Sequence, residues 1–319
     1  MIRVAILDDY QGIALRLADW KSLHPDAQIE AFPEHIADQD TLAKRLHTFE
    51  CLILMRERTP LRRPLIEKLP NLKLVITTGM QNASVDMAAL AERGIVFCGT
   101  DGAGQGTAEL AWGLILCLLR GIPREDRAIR QGRWQTTMGY SAKGKTLGII
   151  GLGRLGSMMA NYGKAFGMEL IGWSRSLTDA RAAELGVKRV EKDELFQRAD
   201  IVTIHVNLND SSRGLVGAAE LGRMKPTSYL VNTSRAPIVD EAALLAALKG
   251  RRIAGAAIDV YDREPTPKDH PFFELDNVVL TPHLGYVIEE NLRIGYASAV
   301  ENIRAFLDGK PIRLIKPRV

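Results

Sequence analysis

Cysteine is scarce in this chain, with three in 319 residues. Cys51, Cys98 and Cys117 lie far apart, each among apolar neighbours. A structural metal site needs close Cys/His pairs and a disulfide framework needs more cysteines. Neither is expected, no metal is expected, and the three read as buried free thiols. Long hydrophobic runs are missing too: none approaches the ~20 apolar residues of a membrane span. The first residues, MIRVAILDDY, carry one Arg, a short apolar stretch and two Asp where a secretory signal would have a longer core and a cleavage site. They read as a first strand, and the expectation is a cytoplasmic protein with no membrane partner. A charge of one sign is also lacking. The 42 Lys and Arg against 38 Asp and Glu leave +4, spread along the chain with only short clusters such as Arg62-Arg63 and Arg251-Arg252. Nucleic-acid binding calls for a concentrated basic face or a recognisable module, so no nucleic-acid partner is expected. A mild positive excess suits small anionic ligands. Low-complexity tracts and tandem repeats are absent.

What is present is an ordinary globular composition, 46% hydrophobic and 25% charged, at a length comfortable for two domains. In the first hundred residues Ile2–Leu7, Gln28–Phe32, Cys51–Leu54, Leu72–Ile76 and Ile95–Cys98 read as strands, with helical patterns such as Asp40–His47 and Val85–Glu92 between them. Alternating β and α at this spacing predicts a parallel sheet covered on both faces. The apolar stretch Thr107–Leu119 is too long for a strand and reads as a buried helix. A second series of strands follows at Thr146–Ile150, Glu169–Trp173, Asp200–His205, Ser228–Val231, Arg252–Val260 and Asn277–Leu280. Glu241–Leu248 is a predicted helix with Asp240 as its N-cap. The expected fold is α/β, with two doubly wound parallel-sheet domains.

After the strand TLGII comes GLGRLG, in which Gly151, Gly153 and Gly156 make the GxGxxG pattern. Gly151 permits a tight turn, Gly153 lets the backbone approach a pyrophosphate, and Gly156 lets helix and strand pack closely. The helix that opens with Arg154 and Leu155 then directs N–H groups and a partial positive charge at the phosphates. The pattern alone is common. Here it follows a strand, opens a helix and precedes a second strand about 20 residues on, which is the dinucleotide-binding context.

Three later segments end apolar strands with residues suited to chemistry: Arg235 in SYLVNTSRAP, Glu264 in GAAIDVYDREP and His283 in NVVLTPHLGY. Each alone has an ordinary reading, as a solvated charge, a turn residue before Pro or a structural hydrogen-bonder. Together they sit at the carboxyl ends of strands, where open α/β sheets bind ligands. They also match the needs of hydride transfer to an oxoacid. A guanidinium binds carboxylate and carbonyl, an imidazolium gives a proton near neutral pH, and a carboxylate holds the imidazole in its charged form and tautomer.

With these segments the chain resembles the D-isomer-specific 2-hydroxyacid dehydrogenases, the family of glyoxylate/hydroxypyruvate reductases and phosphoglycerate dehydrogenases. The motifs GTAELAWGLIL, GKTLGIIGLGRLG, VNTSRAPIVDEAAL, AGAAIDVYDREP and TPHLGY occur in family order over essentially the whole length. The resemblance implies a Rossmann cofactor domain at residues 100–285, inserted in a flavodoxin-like substrate domain formed by residues 1–99 and 286–319. It implies an NAD(P)-dependent oxidoreductase acting on a small anionic 2-oxoacid or D-2-hydroxy acid. Arg235 would bind and polarise the substrate, His283 would donate the proton and Glu264 would be its partner. Asp259 would hold the nicotinamide carboxamide and Thr233 would lie beside the nicotinamide ribose. The Thr107–Leu119 helix would help form a homodimer. With Val319 as its last residue, the chain is expected to lack the C-terminal regulatory domain of some phosphoglycerate dehydrogenases. An alternative function on the same scaffold is an NAD(H)-sensing, corepressor-like binding protein.

The chain departs from the family pattern in three places. Ala236 follows Arg235 where the family has Gly, which is tolerable if the backbone there keeps a negative φ. The substrate loop reads TGMQNASVD from Thr78 to Asp86, so Met80 and Gln81 are candidate substrate contacts, with Gln81 replacing a glycine. Arg56 is either a further contact for an anionic substrate or a surface ion-pair partner. Trp134 is expected to make ordinary packing contacts, the other reading being an approach to a partner's active site. Finally, IGWSRS puts Ser174 where an acid usually receives the ribose 2′-hydroxyl, with Arg175 one step further out. Losing the acid removes a repulsion against a 2′-phosphate, and Arg175 can pair with one. NADP(H) is therefore favoured over NAD(H), against the reading that Arg175 is solvated and both cofactors are accepted.

Overall fold

A computed structural model describes residues 1–316, which divide into two compact units, Met1–Gly104 with the segment from Ile288 onward, and Gln105–Val287. The first unit holds five strands: β1 (Ile2–Ile6), β2 (Ala27–Ala31), β3 (Cys51–Leu54), β4 (Leu74–Thr77) and β5 (Val96–Cys98). They pair in parallel in the order β2-β1-β3-β4-β5, so the chain starts inside the sheet and winds outward in both directions. Every residue of β3 and β4 is buried, which is why these strands read as unbroken apolar runs rather than alternating ones.

The first unit's boundary falls at Gly104, not after residue 99, because the intervening residues are tied to its last helix, Glu289–Leu307. Asn302 Nδ2 donates to Gly99 O at 2.8 Å, Ser298 Oγ accepts from Asp101 N at 3.4 Å, and Asn291 Oδ1 accepts from Ala103 N at 3.0 Å.

The second unit contains β6 (Thr146–Ile150), β7 (Glu169–Trp173), β8 (Lys188–Arg189), β9 (Ile201–Ile204), β10 (Tyr229–Asn232), β11 (Gly255–Ile258) and β12 (Val278–Leu280). All pair in parallel, in the order β12-β11-β10-β9-β6-β7-β8. Successive residues feed two different cores: Ile150, Val202, Leu230 and Ala256 join one, and Ile149, Ile201, Val231 and Ala257 join the other. Period-2 alternation with both faces buried is the signature of a sheet sandwiched between helix layers. Strand order reverses between β6 and β9, the place where doubly wound sheets open a ligand crevice.

The expected strands and helices are present with ends shifted by a few residues. The Arg252–Val260 segment shortens to β11, and β8, two exposed residues, had no apolar signal. Asp240 caps Glu241–Lys249 by accepting from Ala243 N. Cys51 and Cys98 are buried while Cys117 is only half-buried. Trp134 is not packed: it is 75% exposed, and Met138 and Tyr140 are exposed as well. Among the described residues no single helix is long and apolar enough to cross a membrane.

Candidate active site

The parallel order of the second unit brings the carboxyl ends of β6, β7, β9, β10, β11 and β12 to one edge of the sheet. At the end of β6, Gly151 turns with φ +92° and donates its N–H to Trp173 O of β7 at 2.8 Å. A side chain there would meet His205 O and Val206 Cγ1, both at 2.7 Å, in a backbone region that L-residues avoid. Gly153 is the extended N-cap of helix Arg154–Ala165, and no atom lies within 4 Å of where its Cβ would be. Gly156 is close-packed instead, since a Cβ there would overlap Gly151 O. The three glycines thus do three different things, and the open side of Gly153 faces the first turn of a helix whose N–H groups have no intrahelical acceptor. A phosphate fits that donor set. A second orphan supports a bound nucleotide: Thr233 Oγ1, after β10, is buried with no hydrogen-bond partner, a cost a native fold rarely leaves unmet.

At the end of β7, Ser174 is half-buried and Arg175 exposed, and no Asp or Glu occurs between Ile171 and Thr178. His205, just after β9, has Nε2 2.8 Å from Thr203 Oγ1, and burial pulls its imidazole down to about 4. It is neutral at physiological pH.

Asn232, the last residue of β10, builds the turn that presents Arg235. It is buried, its Oδ1 accepts from Ser234 N at 3.0 Å, and its Nδ2 donates to Arg235 O at 3.1 Å. Ser234 Oγ in turn donates to Val206 O. Arg235 Nη1 donates to Ser234 O at 2.8 Å. Ala236 opens a 3-10 turn and has no positive φ, so the methyl is accommodated. Sequence reasoning missed Asn232 and Ser234. The Asn-x-Ser after a strand was the available signal, since short polar side chains close turns onto their own backbone.

His283 follows β12, with φ +53° and 8% exposure. A left-handed non-glycine residue costs about 1–3 kcal/mol and persists only where its surroundings over-determine it. Asp259, just after β11 and 0% exposed, supplies that hold. Its Oδ1 accepts from Thr281 Oγ1 at 2.6 Å and Leu284 N at 2.7 Å, and its Oδ2 accepts from Gly285 N at 3.0 Å. Thr107 Oγ1 pins the same loop by donating to Gly285 O at 2.8 Å. Burial pushes the Asp259 carboxyl above its ordinary value, against the opposing pull of these hydrogen bonds and of His283. Thr281 was not foreseen as part of the site.

His283 Nδ1 and Glu264 Oε2 are 2.7 Å apart, with side chains only 10% and 18% exposed. A carboxylate accepts and does not donate, so Nδ1 carries the hydrogen and the tautomer is set. Glu264 Oε1 accepts from Tyr261 N at 2.9 Å, which fixes the carboxylate in its turn. The Tyr286 ring stands edge-on to the imidazole, centroids 5.4 Å apart. The arrangement is an oriented acid–base pair at the sheet edge that also carries the glycine turn and Arg235.

The remaining candidates lie on the first unit. Arg56, at φ +52°, receives a hydrogen bond at its carbonyl from Asn82 Nδ2 at 2.6 Å and donates from Nη1 to Thr78 O at 3.0 Å. Its guanidinium fills the space a side chain would need at Gly79, whose φ is +90°. Its Nε is 4.0 Å from Glu57, so the ion pair is a loose one. Met80 and Gln81 are exposed on the same loop.

The family model for "D-isomer specific 2-hydroxyacid dehydrogenase, NAD binding domain" matches residues 112–285. Over 279 residues the chain is 36% identical to a D-3-phosphoglycerate dehydrogenase of Archaeoglobus fulgidus, covering 86% of this chain and 53% of that protein. It spans about half the length of the phosphoglycerate dehydrogenases it matches first. It is 33% identical over 308 residues to a glyoxylate reductase of Korarchaeum cryptofilum, covering 94% of this chain and 89% of that one. The solved structure of a phosphoglycerate oxidoreductase from Vibrio cholerae superposes with a TM-score of 0.92 at 37% identity, over 97% of this chain and 100% of that chain.

Proposed function

Because the chain belongs to the D-isomer-specific 2-hydroxyacid dehydrogenase family, we propose that it is an NAD(P)-dependent oxidoreductase interconverting a small 2-oxoacid and its D-2-hydroxy acid. The observation that carries this reading is the 2.7 Å Glu264–His283 pair, held by the Asp259-anchored loop on the edge that bears the glycine turn. When bound, the nicotinamide supplies or takes up the hydride at the substrate carbon.

Each protein group then has one task. Arg235 binds the substrate carboxylate and polarises the carbonyl. His283 gives its Nε2 proton to the carbonyl oxygen in reduction and recovers it in oxidation. Glu264 stabilises the imidazolium before transfer and keeps Nδ1 protonated throughout. Asp259 holds the His283 loop. The second lone pair of its Oδ2, which among the described residues accepts from Gly285 N alone, suits the nicotinamide carboxamide N–H. Thr233 Oγ1 would gain its missing partner from the nicotinamide ribose, and Gly153, Arg154 and Leu155 would take the pyrophosphate at the turn that Gly151 and Gly156 shape. On the first unit, the proposed anion contacts are Arg56 and the loop at Met80 and Gln81, supported by the guanidinium locked against Gly79.

The cofactor preference we propose is NADP(H). Its support is the absence of an acid between Ile171 and Thr178 and the exposed Arg175 beside Ser174. A homodimer is proposed through the Gly106–Arg120 helix and the exposed Ile122, Ile129, Trp134, Met138 and Tyr140 that follow it. An apolar cluster of this kind is a common mark of an interface, and light scattering at micromolar concentration tests it. Unpaired cysteines agree with a cytoplasmic location.

The deciding assay follows the near-ultraviolet absorbance of NADH and of NADPH with glyoxylate, hydroxypyruvate and phenylpyruvate. Oxidation of a reduced cofactor by at least one of them is expected. No turnover with any, alongside intact cofactor binding, would replace catalysis with a sensing role.

A further inference from the structure

The turn after β7 is held on several sides. Leu177 N donates to Ser174 O at 3.2 Å, and Arg189 Nε donates to Leu177 O at 3.0 Å. Thr178 then caps the helix Asp179–Glu184 by accepting from Arg181 N. That helix carries Arg181 back to the glycine turn. Its Nη2 donates to Ser157 Oγ at 3.2 Å, while its Nη1 meets Glu184 Oε2 at 2.9 Å. Ser157 lies in the first turn of helix Arg154–Ala165, and its hydroxyl donates to Gly153 O at 2.8 Å.

A guanidinium from one helix is therefore tethered above the N-terminal turn of another, next to the strand end that lacks an acid. The side chain is 48% exposed, so the contact with Ser157 adds little stability. Its value is in placing a charge. The hydrogen bonds to Ser157 and Glu184 leave further N–H groups on the fork, and the fork geometry suits phosphate oxygens.

We propose that Arg181, positioned by Ser157, is a specificity residue that binds the adenosine 2′-phosphate together with Arg175. This rests on the dinucleotide and NADP(H) reading of the second unit and adds a residue that the strand-end pattern does not point to. Arg175 and Arg181 flank the turn after β7 in sequence, and among the described residues Glu184 is the acid paired with Arg181.

The test uses the full chain and two ligands without nicotinamide, 2′,5′-ADP and 5′-ADP, measured by isothermal titration calorimetry. The wild type is expected to bind 2′,5′-ADP more tightly. Arg181→Ala should weaken 2′,5′-ADP about tenfold, the size of one charge-assisted hydrogen bond, and leave 5′-ADP within about twofold. Arg181→Lys should recover part of the loss, and Ser157→Ala should show a smaller loss confined to 2′,5′-ADP. An unchanged 2′,5′-ADP affinity in Arg181→Ala, with the wild type still discriminating, overturns the role of Arg181 alone. Equal weakening of both ligands overturns it too, because that marks a structural effect. A wild type that binds both ligands equally overturns the NADP(H) reading, and one that binds neither overturns the nucleotide site itself.

Discussion

Two alanine substitutions in the glycine turn should separate packing from ligand access. At Gly156 the added methyl overlaps Gly151 O and stands 2.9 Å from Gly151 C. Both atoms are backbone, so neither can rotate aside, and the helix Arg154–Ala165 has to move off β6. Overpacking of this kind costs about 1–3 kcal/mol. At roughly 2–4 °C per kcal/mol for a unit of this size, Tm should fall by roughly 2–12 °C, and the displaced N–H groups should bind nucleotide poorly. Gly153→Ala is the counterpart. Its backbone, at φ −75° and ψ −158°, is open to alanine, and the methyl touches nothing within 4 Å. Stability should change by less than about 0.5 kcal/mol, yet the methyl stands where the backbone has to approach a pyrophosphate. Calorimetric Tm and NADPH titration on both variants give the comparison. The expected result is lost stability and lost binding in Gly156→Ala, and lost binding alone, by about tenfold or more, in Gly153→Ala. Wild-type affinity in Gly153→Ala would refute the open space as the phosphate's place, and an unchanged Tm in Gly156→Ala would refute the close packing.

Three further outcomes follow from the site. His283→Gln should lower kcat by roughly 10²–10⁴ while NADPH binding stays near wild type, and a variant that turns over normally removes His283 as the proton donor. Asp259→Asn puts a donor against the Gly285 N–H or the Leu284 N–H. It should cost about 1–3 kcal/mol by denaturant unfolding and lower kcat through the displaced loop; equal stability and turnover would mean the carboxylate does not hold His283. His205 is neutral when folded because burial lowers its pKa to about 4 from its ordinary value of 6.5. The unfolded chain takes up that proton first as pH falls, so this contribution to stability is complete above about 6.5 and is lost on descending toward 4. It amounts to roughly 3 kcal/mol. Stability of His205→Gln measured against pH should therefore be flatter in that window, and a slope identical to wild type counts against it.

Much of the fold was legible because its strands are buried on both faces. Short apolar runs such as TLGII and CLIL, set between helical patterns, read as strands of a covered parallel sheet, and the spacing of Gly151, Gly153 and Gly156 announces a turn with a mechanism. Exposed segments carried no such constraint. β8 holds two exposed residues and left no apolar trace, and Trp134 read as packed because an aromatic residue does not declare its solvent exposure. The boundary after residue 99 moved to Gly104 for a related reason: Asn302 and Ser298, some 200 positions away, bond to that segment.

The candidate site divides the same way. Arg235, Glu264 and His283 could be picked out as polar residues closing apolar strands, and the lost acid at Ser174 could be read by position. Asn232, Ser234 and Thr281 could not be assigned tasks, because each acts by hydrogen bonds to atoms whose placement depends on the folded turn. Arg181 is the clearest case, an ordinary charged residue on a short helix until Ser157 is found 3.2 Å away. By itself the sequence determined what must be buried, where the chain must turn and which chemical groups were available, since hydrophobicity and backbone freedom are properties of single residues and their spacing. Only the tertiary structure decided which groups meet, such as His283 Nδ1 with Glu264 Oε2 or Asp259 with the Leu284 and Gly285 amides. A hydrogen bond requires two atoms about 3 Å apart and aligned, and residues distant in sequence acquire that relation only when the sheet is assembled.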